Sequence, residues 1–222
     1  MIGNDLVDLE LAQQENNWKR PRFLQKIFTR EEQDFLATAP NKEIAVWLLW
    51  SRKESAYKLV ARMKKRRFFA PKKLANTFGN PKIINPSYRR SKALKTLGGL
   101  ASNGGINFSS QNDGQVIFEE YTIATRSIVT NTYIHTIAQL SDSWKPLTTN
   151  AFLLNHNSYA CQHQTTRQKL LADYAKRYNF STTQLTIQKD EWKIPHLYYK
   201  NQQQSTMISI AHHGYYGGYV FR

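Results

Sequence analysis

Glu54 and Lys58 set a carboxylate and an ammonium four residues apart in Trp50-Ser51-Arg52-Lys53-Glu54-Ser55-Ala56-Tyr57-Lys58, a spacing that puts both on one face of a helix. On an exposed helix such a pair is an ordinary ion pair contributing about 0.3–0.5 kcal/mol. Here it is surrounded by Ala45, Val46, Trp47, Leu48, Leu49, Trp50, Ala56, Leu59 and Val60, and that apolar density predicts a helix packed on several sides. A charged pair in such a place needs a further partner. A divalent cation for the carboxylate and a phosphate for the ammonium would supply one.

Two other segments carry residues of matching chemistry. Asp5 interrupts a short strand pattern of Ile2, Leu6, Val7 and Leu9, where an acid is costly unless something binds it, so Asp5 is a ligand candidate. Asp8 and Glu10 read as the exit of that strand to solvent. Near the other end, the strand-like Met207-Ile208-Ser209-Ile210-Ala211 runs into His212-His213-Gly214, a combination able to donate several hydrogen bonds to an anion. Adjacent histidines on a strand point to opposite faces, so this run suits phosphate better than a metal. Gly214, Gly217 and Gly218 would let backbone approach a ligand closely. His135, inside a β-rich run, reads as a hydrogen-bonded sheet histidine, and Cys161, the single cysteine, as a small partly buried thiol.

The elements that must position these groups are legible in outline. After the first strand comes a helical piece at Phe23 to Phe28, then Thr29-Arg30-Glu31-Glu32, a capping box opening a helix that Pro40 closes. The long helix carrying Glu54 and Lys58 spans about 41–63. Residues 64–115 hold Pro71, Pro81, Pro86 and two Gly-Gly pairs, which predict loops with short strands and a flexible stretch near 98–114. Val116-Ile117-Phe118 and Thr132 to Ala138 predict antiparallel strands. Beyond Trp144-Lys145-Pro146 a second unit begins, with a helix over about 165–178, a strand around 184–188, a polar turn at 201–204 and the histidine-bearing strand.

A chain of 222 residues with 41% apolar content can bury a core in one larger domain or two small lobes. No apolar run approaches the length of a membrane span and the first residues lack a signal-peptide pattern, so the expected setting is cytoplasmic, away from membranes. The net charge of +15 steers polyanions toward the chain without naming one. Its basic residues concentrate at Lys19-Arg20-Pro21-Arg22, at Lys64-Lys65-Arg66-Arg67 with Lys72-Lys73, and at Arg89-Arg90-Ser91-Lys92 with Lys95.

Taken together, Gly3-Asn4-Asp5-Leu6-Val7-Asp8, Trp50 to Lys58 and Ser209-Ile210-Ala211-His212-His213 resemble the 4′-phosphopantetheinyl transferase superfamily. The middle segment matches that family's W-x-x-K-E-(S/A)-x-x-K signature without a gap. The first is similar to its G-x-D strand as found in holo-acyl-carrier-protein synthases, and Phe28-Thr29-Arg30-Glu31-Glu32 is similar to its FT-x-x-E helix start. The last is a looser match to S-x-S-H-S, keeping Ser209 and His212 and replacing the second serine by Ala211. Surfactin-type members carry a second acid two residues after the first aspartate, and here that position is Val7.

The resemblance implies that a carrier-protein serine attacks the β-phosphate of coenzyme A, taking the phosphopantetheine arm and releasing adenosine 3′,5′-bisphosphate. It implies Mg²⁺ held by Asp5 and Glu54, and catalytic roles for Glu54 and Lys58. Lys58 would stabilise or protonate the leaving group on the α-phosphate side. Glu54 or a metal-held water would take the serine proton. Ser209 and His212 would contact the nucleotide phosphates, with Arg167, Lys169 and Lys193 as further contacts to the same cofactor.

The fold implied is α+β, a pseudo-dimer of two similar lobes. Residues 1–146 would carry the Mg²⁺-binding and catalytic motifs, and 147–222 the coenzyme A phosphate-binding segment. The order of halves is swapped relative to surfactin-type enzymes, with the active site between the lobes and the termini close, Tyr219–Phe221 lying beside Ile2–Leu6. Two lobes in one chain remove the need for a trimer, so a monomer is expected. The expected partner is an acidic acyl or peptidyl carrier protein, with Lys19, Arg20, Arg22 and Lys64–Arg67 as docking residues and no nucleic acid involved. Two other readings stand beside this one. A nucleic-acid-binding protein using Lys64-Lys65-Arg66-Arg67-Phe68-Phe69 explains the basicity but leaves Asp5, Glu54 and the Ser209 segment without a role. The other is a family member that has lost catalysis.

Overall fold

The computed structural model describes residues 1–15, 18–68, 70–78, 110–140 and 146–222. Its elements divide between two five-stranded antiparallel sheets, each with a long helix packed on it, so the fold is α+β with two similar lobes.

The first sheet has the order β1-β5-β4-β3-β2, from Ile2–Asp8 (β1), Ala75–Thr77 (β2), Ser110–Phe118 (β3), Tyr121–Val129 (β4) and Tyr133–Leu140 (β5). Between β1 and β2 come α1 (Leu9–Glu15), α2 (Phe23–Ile27), α3 (Arg30–Thr38) and α4 (Lys42–Lys64). The capping box opens α3: Thr29 Oγ1 accepts from the Glu32 N–H at 3.3 Å, and Glu32 Oε2 accepts from the Thr29 N–H at 2.7 Å. Asn41 caps α4, whose 23 residues are buried on several sides, as the apolar density around Glu54 predicts.

The predicted flexible stretch needs correction in part. Residues 110–114 belong to β3 and pair in register with β4, from Ser110 opposite Val129 onward; residues 98–109 and the Arg89–Lys95 cluster lie outside the described residues. Arg52 explains how this polar stretch is held as strand. Its buried guanidinium crosses from α4 to donate to the Asp113 carbonyl at 3.1 Å, and a Cβ at Gly114 would sit 2.5 Å from Arg52 Cζ.

The second sheet has the order β6-β10-β9-β8-β7, from Thr148–Leu153 (β6), Leu185–Lys189 (β7), Pro195–Tyr199 (β8), Gln202–His213 (β9) and Tyr216–Phe221 (β10). Helix α5 packs on it through Leu170, Tyr174 and Ala175, which share a buried cluster with Phe152, Ile208, Tyr219 and Phe221. It begins at Tyr159 rather than near 165, because the Ser158 side chain accepts from the Cys161 N–H and nucleates a polar first turn that apolar spacing does not reveal.

The two sheets meet at β1. Gly3, Asp5 and Val7 face α4, and Asn4, Leu6 and Asp8 face β9 and β10, as the two-residue period of a strand requires. On the second face, the Asn4 N–H donates to Ser209 Oγ at 3.1 Å, and the missing Cβ of Gly218 makes room for Leu6 and His135. Ile2, Ile137 and Val220 close one end in a single buried cluster.

Asp8 is a further correction: it is buried and does not mark an exit to solvent, whereas Glu10 is exposed. Its Oδ1 accepts from the Leu11 N–H at 3.1 Å, starting α1, while Oδ2 accepts from the Tyr215 N–H at 2.9 Å. Gly214, at φ +56, would drive a Cβ to 2.3 Å from Asp8 Oδ2. Gly217 and Gly218 likewise admit Thr166, Phe152, Leu6 and His135, so all three glycines make room for protein side chains, where the sequence suggests a ligand.

Candidate active site

Three charged groups converge where β1 crosses α4. Gly3 brings strand and helix together so closely that a Cβ there would lie 2.1 Å from the Ser55 carbonyl oxygen. Two residues further along the same face of β1, Asp5 stands opposite the turn of α4 bearing Glu54 and Lys58. Lys58 Nζ reaches Asp5 Oδ1 at 3.4 Å, with the lysine side chain 31% and the aspartate 13% exposed, so a ligand can reach both. In this arrangement the lysine leans across to the strand acid.

Glu54 is the perturbed member. Burial, and then the charge of Asp5, push its carboxyl up to about 7, against a smaller opposing effect of Lys58. Two carboxylates held this close in a half-buried place attract a cation. The donor set is sparse: among the described residues no group of three or more His, Cys, Asp or Glu side chains gathers to hold a metal. That sparseness suits Mg²⁺, which takes one or two carboxylates and fills its octahedron with waters and substrate phosphates. Val7, at the position of the second acid in surfactin-type enzymes, is buried among Trp47, Leu48 and Ile134 and offers no oxygen.

On the opposite side stands the end of β9. Ser209 is buried, its Oγ accepting from the Asn4 N–H, one residue from Asp5. His213 turns to β1, its Nδ1 accepting from the Asp8 N–H at 3.0 Å, and His212 points the other way. Burial first, then the positive charges of Lys58, His163 and Lys189, lower His212 to about 4. It is therefore neutral at pH 7 and presents one N–H.

His212 thus borders a group of cations drawn from both lobes. Lys189, at the end of β7, has its pKa lowered by burial and by Arg167, Lys193, Arg67 and Lys58. Arg167 donates to the Ile187 carbonyl at 3.1 Å, which fixes its guanidinium beside β7. Of the three further phosphate candidates from the sequence, Arg167 and Lys193 join this group. Lys169 points elsewhere, its ammonium 4.8 Å from the Phe152 ring centroid. The sequence offers no sign of Lys189 and His163, because a single basic residue in a basic chain has no pattern of its own, and it places Arg67 in the Lys64–Arg67 docking cluster instead of here. Lys53, one residue before Glu54, is fully internal: it donates to the Pro71 and Leu74 carbonyls and pairs with Glu32 at 2.8 Å.

A convergence of two acids, a lysine and a basic margin can bind a divalent cation together with phosphate groups. A family model described as the 4′-phosphopantetheinyl transferase superfamily matches residues 1–126, which include Asp5, Glu54 and Lys58. The chain belongs to that superfamily, whose general activity is phosphopantetheinyl transfer with coenzyme A-type chemistry. No curated protein matches the chain. No helix among the described residues is long and apolar enough to cross a membrane.

Proposed function

We propose that this chain transfers the 4′-phosphopantetheine arm of coenzyme A to a serine of an apo acyl or peptidyl carrier protein, releasing adenosine 3′,5′-bisphosphate. The observation that carries this reading is the placing of Asp5, Glu54 and Lys58 together on one side of β1 while Ser209 and a group of cations stand across from them. Asp5 and Glu54 would hold Mg²⁺, which when bound neutralises charge on the pyrophosphate. Glu54, or a water beside it, takes the proton of the attacking serine. As the serine oxygen bonds to the β-phosphorus, the bond to the bridging oxygen breaks and the electron pair leaves with the α-phosphate. Lys58 stabilises that charge. Ser209, His212, Arg167 and Lys193 position the nucleotide phosphates, and Lys169, held over the Phe152 ring, stays outside that set.

The lobes divide near 146/147, the active site lies between them, and the molecule works as a cytoplasmic monomer. The carrier docks on basic surface at Lys19, Arg20, Arg22 and Lys64–Arg67. Support comes from a cavity of about 410 Å³ lined by Trp18, Lys19, Arg20, Arg22, Phe23 and Lys42, with no acidic side chain in its lining among the described residues.

The deciding measurement is the mass of an apo carrier protein incubated with coenzyme A and Mg²⁺. Wild-type enzyme adds the mass of the phosphopantetheine arm, and Glu54→Ala and Lys58→Ala lose it. Modification that survives either substitution removes these residues from the chemistry. Failure of wild type on fatty acid, polyketide and peptide carriers, with salt-sensitive oligonucleotide binding in its place, overturns the reading.

A further inference from the structure

Tyr159 is the most exposed of the large hydrophobic side chains among the described residues, at 68%, and it does not stand alone on the surface. Its ring stacks on His163, with centroids 5.7 Å apart at 26°, and meets His212 edge-on at the same centroid distance and 75°. Both histidines belong to the basic margin, His163 feeling the charges of Arg167 and Lys189. One open aromatic surface therefore stands a single ring contact from the cations that would hold phosphates. The Ser158 cap fixes the first turn of α5, and the His163 ring backs the tyrosine.

The cations alone would accept any polyanion. Pyrophosphate, a phosphopeptide and a nucleotide differ in whether a flat π-system accompanies the phosphate, and an exposed ring selects for the one that carries it. We propose that Tyr159 is the stacking platform for the purine base of the nucleotide, and that it makes the basic margin a nucleotide site. This rests on the coenzyme A reading above and adds to it a residue that decides which part of the cofactor is recognised. The phenol has only two side-chain torsions, and its stacking on His163 already limits them, so little freedom is lost when a base settles on it.

The test uses two probes and two variants of the full chain. Calorimetry measures adenosine 3′,5′-bisphosphate, which has a base, and inorganic pyrophosphate, which has none, on wild type, Tyr159→Leu and Tyr159→Phe. Stacking predicts that Tyr159→Leu weakens the bisphosphate about 5- to 100-fold while pyrophosphate affinity stays within about twofold. Tyr159→Phe should keep wild-type affinity for both. In turnover, Tyr159→Leu should raise KM for coenzyme A with kcat unchanged. Unchanged bisphosphate affinity in Tyr159→Leu overturns the assignment, and equal losses for both probes show that the ring only positions His212. Wild type that transfers the arm while Tyr159→Leu behaves identically sinks the platform alone. Wild type that binds neither probe and transfers nothing sinks the coenzyme A reading with it.

Discussion

Gly3 decides how near Asp5 can come to Glu54 and Lys58, because the strand carrying it rests directly on the Ser55 carbonyl of the helix. Gly3→Ala forces backbone apart, the obstacle being a carbonyl oxygen and not a movable side chain. It should cost about 1–3 kcal/mol in urea unfolding and reduce transfer activity as the acids separate. His135 makes a second prediction at this scale. It is buried beside Asn4, its ring 3.2 Å from Asn4 Nδ2, and burial lowers it from 6.5 to about 4. The unfolded chain takes up the proton first, so stability is whole above about pH 6.5 and declines as pH falls toward 4, by on the order of 3 kcal/mol. His212, lowered in the same direction, adds to that decline. Unfolding midpoints measured from pH 8 to 4 should fall less steeply in His135→Gln than in wild type. Asp5, Glu54 and Lys58 were legible because charge inside an apolar pattern is conspicuous. Asp8 is equally conspicuous, but its role is not local, since the two N–H groups it accepts from include one at Tyr215, far along the chain.

Among the elements, α4 carries the site and is held by a polar buried network. Glu32 Oε1 accepts from Lys53 Nζ at 2.8 Å and from the Asn76 N–H at 2.7 Å, joining α3, α4 and β2 through one oxygen. Burial lowers the Lys53 pKa, and the glutamate opposes that effect. Lys53→Met would leave a carboxylate uncompensated in the interior, with an expected loss of about 3–5 kcal/mol. Adding Glu32→Gln should recover part of it, because the amide oxygen still accepts from Asn76; the two urea midpoints give the comparison. A double variant no better than Lys53→Met would show that charge is not the cause. The long helix and the Thr29 box follow from local pattern and were legible as such. Helix α1 and the first turns of α5 are not, since α1 is started by Asp8 and the opening turns of α5, Tyr159-Ala160-Cys161-Gln162-His163-Gln164, show no apolar period.

At the scale of the molecule, the +15 charge is unevenly used. One part surrounds Lys189 between the lobes, and another lines the cavity at Trp18, where Lys19 and Lys42 each lie over the indole at 5.5 and 5.7 Å. Reversing Lys19, Arg20 and Arg22 to glutamate should raise KM for carrier protein much more than KM for coenzyme A in steady-state kinetics. Equal effects on the two would place the carrier elsewhere. The long chain separation between β1 and β9 has a temporal side as well. Asn4 bonds to Ser209 across a separation of 205 residues, and Ile2 packs on Val220. Contacts of such span close slowly, since the loop entropy is lost before they form. A nascent chain on the ribosome would carry Asp5, Glu54 and Lys58 well before β9, which packs on the other face of β1, exists. On the proposed reading, catalytic competence would then arrive only once β9 has been made, and a truncated product ending before Ser209 should transfer no phosphopantetheine arm.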